Sequence, residues 1–202
     1  MGGGHEWEAD VPLLNFKSKP DKVVEILVYL ATKCPNIDKY QVSKFFYLAD
    51  REHLLRYGRP ISYEPYFALW FGPVPTHALD LVEEDRAVMH WAGLSELPFV
   101  TEAGKAENGS NTVFIRSAKR EPKYDLFSKS DLKVLDETIA KYKDSSFKQL
   151  MDLTHEHEAY KAAWDERRKG ANRAEMYWEE MIEDKGRRKA LVDDLAPISG
   201  RM

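Results

Sequence analysis

The stretch Lys44–Pro75 carries the strongest structural signals in the chain and reads KFFYLADREHLLRYGRPISYEPYFALWFGPVP. Just before it, Asp38 and Gln41 have the spacing of a capping box, which predicts the start of an α-helix. Apolar residues then recur at intervals of three and four, as one face of a helix requires: Val42, Phe45, Phe46 and Ala49. Gly58 predicts the end of this helix, because glycine tolerates the left-handed conformation that terminates many helices.

The second half of the stretch predicts a strand and a turn. Glu64–Phe71 is short, rich in aromatic residues and apolar on both alternating faces, which is typical of a strand covered on two sides. Pro65 fits only near the start of such a strand or on a sheet edge, since proline has no N–H to donate. Gly72–Pro75 follows as a stiff turn, and Thr76 is placed to cap a further helix through Val82.

Helices and one hairpin extend outward on both sides of this stretch. Pro20 suits the first turn of a helix whose apolar stripe is formed by Val23, Ile26, Leu27 and Leu30. Leu97–Thr101 and Thr112–Arg116 predict a hairpin with turn residues at Glu107–Ser110. Three further helices are predicted: one capped by Ser128 or Ser130, one over Phe147–Thr154 and one over Ala159–Arg168. The sum is an α+β fold, mainly α-helical, in which a compact helical domain carries a small antiparallel β-sheet.

The chain divides into three parts by composition. We predict a flexible N-terminal lead over residues 1–17, a folded domain over residues 18–165 and a charged, helical C-terminal extension over residues 166–202. From residue 165 onward the chain holds nine acidic and nine basic residues. An apolar helix face in this part is predicted from Met176, Tyr177, Trp178, Met181 and Ile182.

Composition narrows the class of protein. The 202 residues are 43% hydrophobic and 12% aromatic, which is enough apolar material for a folded core. A net charge of −4 disfavours a dedicated nucleic-acid binder, because contact with phosphates calls for a basic surface. Cys34 is the single cysteine, and the start of the chain shows no signal-peptide pattern, so we expect a cytoplasmic protein. No apolar run in the sequence approaches the roughly 20 residues of a membrane span.

The run His155-Glu156-His157-Glu158 is the most prominent candidate for metal chemistry. A zinc-protease helix requires a histidine at the fifth position of this run, where the chain has Ala159. A metal-dependent hydrolase or nuclease using His155 and His157 stays as an alternative, but a polar helix end is favoured over it. Phosphate-loop, dinucleotide-binding and Gly-x-Ser-x-Gly motifs do not occur in the sequence, and Cys34 fits a small buried hydrophobe better than a nucleophile. We therefore predict a protein that is not an enzyme, with no catalytic, cofactor or metal residues.

Two basic clusters, Arg167–Lys169 and Arg187–Lys189, could contact phosphate. Both lie among carboxylates, namely Asp165, Glu166, Glu183 and Asp184. Ion pairs along a helix therefore explain both clusters more simply than nucleic-acid binding does.

One further constellation lies on the predicted helix before Gly58. Lys44, Tyr47, Asp50 and Arg51 lie beside the aromatic strand and the Gly-Pro-Val-Pro segment. These residues could form a buried polar network in which Asp50 accepts hydrogen bonds. They could equally form a recognition surface, since tyrosine and arginine are typical anchors of protein interfaces. The residues alone do not separate the two interpretations.

The stretch resembles the signature of the Panacea domain, found in SocA-like antitoxins of bacterial and phage toxin–antitoxin systems. The resemblance is strongest over Lys44–Leu54, Tyr57–Ile61, Tyr66 and Gly72–Pro75. It continues more weakly through Phe127–Leu132 to Trp164 and so covers roughly residues 20–165. The residues that it marks as motif core or as partner-binding candidates are Lys44, Tyr47, Asp50, Arg51, Tyr57, Arg59, Tyr66, Trp70, Pro73, Val74 and Pro75.

The resemblance implies an antitoxin of a type II-like system. Such a protein neutralises a cognate protein toxin by direct binding, and the toxin is expected to be encoded by an adjacent gene. The resemblance also leaves open a proteolytic adaptor that delivers its toxin to a ClpX-type unfoldase. Family members neutralise toxins of unrelated kinds, so the resemblance does not name the partner. The chain shows no zinc-finger or helix-turn-helix extension, which puts autoregulation by DNA binding in doubt.

Overall fold

The computed structural model describes residues 13–106 and 109–202. These residues form eight α-helices: α1 (Pro20–Lys33), α2 (Lys39–Tyr57), α3 (Thr76–Val82), α4 (Arg86–Trp91), α5 (Lys129–Tyr142), α6 (Phe147–His155), α7 (Glu158–Glu166) and α8 (Lys185–Ser199). They also form six strands: β1 (Ile37–Asp38), β2 (Tyr66–Leu69), β3 (Gly72–Pro75), β4 (Phe99–Lys105), β5 (Asn111–Ala118) and β6 (Arg173–Met176). The predicted α+β, mainly helical fold is confirmed.

The strands are arranged in two small antiparallel sheets. The first has the order β1-β5-β4 and contains the predicted hairpin, β4–β5. Residues 107 and 108, in the predicted turn of that hairpin, lie outside the described residues. The second sheet has the order β3-β2-β6, so that Tyr66 in the central strand lies opposite Pro75 on one side and Met176 on the other.

Helix α2 lies at the centre of the core. The Asp38 side chain accepts a hydrogen bond from the backbone N–H of Gln41, and the Gln41 side chain accepts one from the backbone N–H of Asp38, which confirms the predicted capping box. Gly58 ends the helix with a φ of 72°, as predicted. The predicted apolar face of α2 is buried, and helices α3, α5 and α6 and strand β3 pack around it. The recognisable stretch therefore forms the centre of the molecule.

The prediction of a turn at Gly72–Pro75 is wrong, since these residues form strand β3 paired with β2. Both prolines are tolerated because β3 lies at the edge of its sheet, where a missing N–H leaves no ladder bond unmade. The prediction that Thr76 caps the next helix is also wrong. Pro75 occupies the N-cap position of α3, and the free N–H of Ala78 donates instead to the buried carboxylate of Glu64 at 2.9 Å.

The chain beyond residue 165 is only partly helical. Residues 185–199 form α8, as predicted, but Met176 ends the strand β6 and residues 178–181 form a 3₁₀ turn. The predicted helix face around Met176 is therefore wrong, because the open edge of β2 binds this segment as a strand. Four of its apolar residues are buried in the core: Met176, Trp178, Met181 and Ile182.

The structure describes the predicted N-terminal lead only from residue 13 onward. Residues 1–12 of the predicted flexible lead lie outside the described part of the chain, whereas Leu14 and Phe16 are buried. The limits of the domain at residues 18 and 165 stay a prediction. Within residues 13–106 and 109–202, no helix has both the length and the apolar character needed to cross a membrane.

Candidate partner-binding site

Asp50 is the centre of a buried hydrogen-bond network. It lies on α2, is 1% exposed, and its Oδ1 accepts the backbone N–H groups of Ile61 at 2.7 Å and Ser62 at 2.8 Å. Its Oδ2 accepts the Tyr66 hydroxyl at 2.8 Å and the Ser62 hydroxyl. Burial raises the pKa of Asp50 to about 6, although these hydrogen bonds act in the opposite direction. The network fastens α2 to the start of the β2–β3 hairpin, which supports the scaffold interpretation of Asp50.

Lys44 lies on a different face of α2 from Asp50 and is completely buried. Its Nζ donates to the carbonyl oxygen of Pro73 at 2.9 Å and lies 4.6 Å from the centre of the Tyr40 ring. None of the ion pairs among the described residues includes Lys44, so no carboxylate of those residues lies within 4.0 Å of its Nζ. Burial lowers the pKa of Lys44 to about 7. The ammonium group is thus held inside the protein by one carbonyl and one aromatic face.

Gly72 is required by this arrangement. It has a φ of 103°, and a Cβ atom added to it would lie 2.8 Å from Thr154 Oγ1 and 2.9 Å from Lys44 Nζ. Its positive φ also lets the two preceding residues, Trp70 and Phe71, turn the hairpin without adopting positive φ themselves. The glycine therefore permits both the close approach of Lys44 and the exposure of two aromatic side chains.

Arg59 belongs to a second buried centre, formed around Asp131. The Asp131 carboxylate lies 2.7 Å from Arg59 Nη2, 2.5 Å from Lys22 Nζ and 3.2 Å from His53 Nε2. Although burial raises the pKa of Asp131, hydrogen bonds from His53 and Lys22 hold it well below its usual range. Tyr57, which is 45% exposed, lies against the His53 ring with the ring centres 4.6 Å apart. Asp131 was not among the predicted site residues, although its capping-box spacing from Ser128 was a usable signal.

The two histidines of the His-Glu-His-Glu run take part in packing. The ring of His155 stacks on Tyr160 with centres 4.3 Å apart, and His157 Nδ1 lies 3.1 Å from the Tyr47 hydroxyl. Burial, with a contribution from Arg51, lowers the pKa of His157 to about 4. Among the described residues no group of three or more His, Cys, Asp or Glu side chains could hold a metal ion.

Trp70 and Phe71 stand at the end of the β2–β3 hairpin and are 67% and 48% exposed. The Trp70 ring meets Trp164 of α7 edge to face at 6.0 Å, and the Phe71 ring meets Phe147 of α6 in the same way at 5.3 Å. The guanidinium carbon of Arg167 lies 3.8 Å from the centre of the Trp164 ring. We call this surface the aromatic tip, and it consists of Trp70, Phe71, Phe147, Trp164 and Arg167.

Several basic residues lie in and beside the aromatic tip. Within the described part of the chain, no ion pair includes Arg167, Arg168, Lys169 or Arg173. The prediction of helical ion pairing is therefore wrong for this cluster, because α7 ends at Glu166 and the cluster lies in the following loop. In the second cluster the prediction holds for Lys189, which lies 2.6 Å from Asp193 on the same helix.

An apolar groove of about 330 Å³ begins on the other side of Phe71. Its walls are formed by Tyr40, Leu69, Phe71, Val74, Leu79 and Phe147, and one side is lined by Ala106 and residues 110–112. Among the described residues that line it, Lys39 and Lys44 are charged and none is a carboxylate. The groove is therefore apolar with a positive charge beneath it.

The eleven residues predicted from the sequence separate into a scaffold and a surface. Six are buried: Lys44, Tyr47, Asp50, Tyr66, Pro73 and Pro75. Three are partly buried (Arg51, Arg59 and Val74) and two are exposed (Tyr57 and Trp70). Sequence reasoning missed the other members of the aromatic tip. A two-residue hairpin loop made of Trp-Phe, where Asn-Gly or Gly-X is usual, was the signal that could have found it.

Fold and site together define a small, mainly helical α+β domain with a buried polar network and an exposed aromatic and basic surface. The family model for the antitoxin SocA-like, Panacea domain matches residues 42–161, which is more than half of the chain. The protein therefore belongs to the family of SocA-like antitoxins with a Panacea domain. The comparisons with curated proteins and with solved structures gave no match.

Proposed function

We propose that the protein is a cytoplasmic antitoxin that neutralises a cognate protein toxin by direct binding, without catalysis of its own. Membership of the SocA-like family supports the antitoxin role. The toxin is expected to be the product of an adjacent gene. The structural observation that carries the proposal is the aromatic tip, because it presents the most exposed large apolar side chain among the described residues, Trp70.

The chemistry of the tip suits a protein partner. Tryptophan and arginine are the residues most enriched among those that dominate binding energy in protein interfaces. Trp70 lies against a second tryptophan, and Arg167 stacks on that tryptophan, so both side chains are held in place before binding. A surface that is ordered in advance loses little conformational freedom when a partner covers it.

The test is co-expression of the protein with the product of the adjacent gene, followed by co-purification. We expect the wild-type chain to restore growth and to form a stable complex. Trp70→Ala should weaken the complex by a factor of ten or more, which corresponds to about 1.4 kcal/mol or above. Tyr124→Ala is the matched control, since Tyr124 is 46% exposed and also meets one aromatic ring, Tyr29, edge to face at 6.3 Å.

Two outcomes would contradict the proposal. If the wild-type chain neither restores growth nor retains the neighbouring gene product, the antitoxin role fails. If Trp70→Ala and Tyr124→Ala behave alike while both proteins stay folded, the role of the aromatic tip fails. Neutralisation in a strain that lacks the ClpX-type unfoldase separates direct binding from delivery to a protease, because only delivery requires the unfoldase.

A further inference from the structure

Lys44 lies beneath the apolar groove, and its scaffold role does not explain why this buried residue carries a charge. Lys44 is 0% exposed, and no carboxylate within residues 13–106 and 109–202 pairs with it. Such a lysine is unfavourable, because the interior solvates an ammonium group far less well than water does. An uncharged residue of similar length would fill the same space. The position of the charge beneath the groove therefore needs a separate explanation.

The groove has the properties of a site for an anionic, apolar group. Its walls are aromatic and aliphatic, and within the described part of the chain Lys44 and Lys39 are the charged residues that line it. A volume of about 330 Å³ lies at the lower end of the roughly 300–1,000 Å³ that ligand pockets occupy, so the groove suits about one residue rather than a long segment. Charge complementarity then selects a negative group.

We propose that this groove binds the C-terminal residue of the toxin, with its apolar side chain between Phe71, Phe147 and Leu79 and its terminal carboxylate above Lys44. A C-terminal residue carries its side chain and its carboxylate on the same Cα atom. A groove that holds about one residue can therefore bind both groups at once. In an extended internal segment, an acidic residue and its apolar neighbour point to opposite sides of the chain. The proposal rests on the proposed antitoxin function and specifies how the toxin is held.

Binding in this site should depend on pH. The carboxylate attracts the charged form of Lys44, and burial lowers the pKa of this lysine to about 7 in the free protein. The titratable groups around it are Tyr40 on α2, His155 at the end of α6 and Tyr160 on α7, with Lys39 at the rim paired with Glu83. Burial raises the pKa of both tyrosines, and burial together with Lys44 lowers that of His155. Of Tyr40, His155, Tyr160 and Lys44, Lys44 is therefore the group whose charge changes as the pH rises through about 7.

The experiment uses two small probes with the full chain: N-acetyl-phenylalanine, which has a free carboxylate, and N-acetyl-phenylalanine amide, which has none. Binding is followed by the backbone amide NMR signals of Phe71, Leu79 and Thr112. We expect the acid to bind at least tenfold more tightly than the amide near pH 6.5. The affinity of the acid should then decrease by up to tenfold for each pH unit above about 7, whereas that of the amide should stay constant.

Lys44→Met should abolish the preference for the acid and its dependence on pH. Lys33→Met, which removes a surface lysine that also lies over a tyrosine ring but does not line the groove, should change the preference by less than threefold. Equal affinities for acid and amide in the wild-type chain would overturn the proposal without any variant, so it stays testable if Lys44→Met fails to fold. If the acid binds as expected but the wild-type chain does not neutralise the neighbouring gene product, the antitoxin function fails, whereas the groove is still a site for an apolar carboxylate.

Discussion

The substitution Lys44→Met tests whether the buried charge destabilises the fold. Burial lowers the pKa of Lys44 from 10.5 to about 7. Each pH unit corresponds to about 1.4 kcal/mol, so keeping the proton on this lysine costs the folded chain about 5 kcal/mol relative to the unfolded chain. Methionine removes this term but leaves the carbonyl of Pro73 without its donor, which costs about 1–3 kcal/mol. We expect Lys44→Met to be about 2–4 kcal/mol more stable than the wild type near pH 6.5.

The pH dependence of the stability difference between Lys44→Met and the wild type tests the buried charge in a second way. Between about pH 7 and pH 10 the unfolded chain keeps the proton on Lys44 and the folded chain does not, so the contribution of Lys44 to stability increases with pH. In Lys44→Met this contribution is absent. The advantage of the variant should therefore decrease by up to about 1.4 kcal/mol per pH unit above pH 7 and disappear near pH 9.

The assay is urea unfolding followed by tryptophan fluorescence at several pH values from about 6 to 9, with the slope of the free energy against urea checked for constancy. Lys39→Met is the control, because Lys39 pairs with Glu83 at the surface and should change stability by no more than about 0.5 kcal/mol. A Lys44→Met protein that is less stable than the wild type by the same amount at every pH would refute the reasoning. That result would mean that the folded chain stabilises the ammonium group as well as water does.

Three further predictions concern the scaffold. Asp50→Ala leaves the N–H groups of Ile61 and Ser62 and two hydroxyls without an acceptor. Urea unfolding should therefore show that the free energy of unfolding decreases by at least about 3 kcal/mol, and an unchanged midpoint would rule out the network. Gly72→Ala should cost at least about 2 kcal/mol in the same assay, whereas Gly93→Ala, also at positive φ but with nothing within 4 Å of its Cβ position, should cost clearly less. Asp131→Asn should flatten the loss of stability below about pH 4 in acid titrations, because the pKa of Asp131 is lower in the folded chain than in the unfolded chain. Its stabilising contribution is therefore lost progressively as the pH falls from the unfolded pKa towards the folded one; identical acid profiles would contradict this.

The central helix and its limits could be predicted from the sequence because their signals are local. The exchange of hydrogen bonds between Asp38 and Gln41 and the left-handed Gly58 depend on residues a few positions apart. Strand β6 could not be predicted in this way. Whether residues 173–176 form a strand depends on the open edge of β2, which lies about a hundred residues earlier in the chain. The error at Gly72–Pro75 has the same origin, since two prolines indicate a turn unless the sheet offers an edge.

The candidate site also combines residues that local sequence signals identify with residues that only the fold brings together. Asp50 was predicted as a hydrogen-bond acceptor from its residue type and its place on the helix, but its donors come from the loop and strand that follow, and only the fold brings them together. The aromatic tip joins Trp70 to Trp164 and Arg167, which come from helix α7 and the loop after it. No spacing rule connects residues so far apart. The part of the site that depends on long-range packing was therefore beyond local sequence reasoning.

The β2–β3 hairpin links the recognisable part of the molecule to its exposed surface. Lys44 and Asp50 hold the two ends of the hairpin from inside, through the carbonyl of Pro73 and the hydroxyl of Tyr66. The side chains that hold the hairpin are thus different from those that it presents, namely Trp70 and Phe71. Substitutions at the tip can change which surface is offered to a partner while the buried network stays intact. A family whose members neutralise unrelated toxins is expected to keep the first set of residues and to vary the second, so the residues by which the family is recognised are not those from which its partner should be inferred.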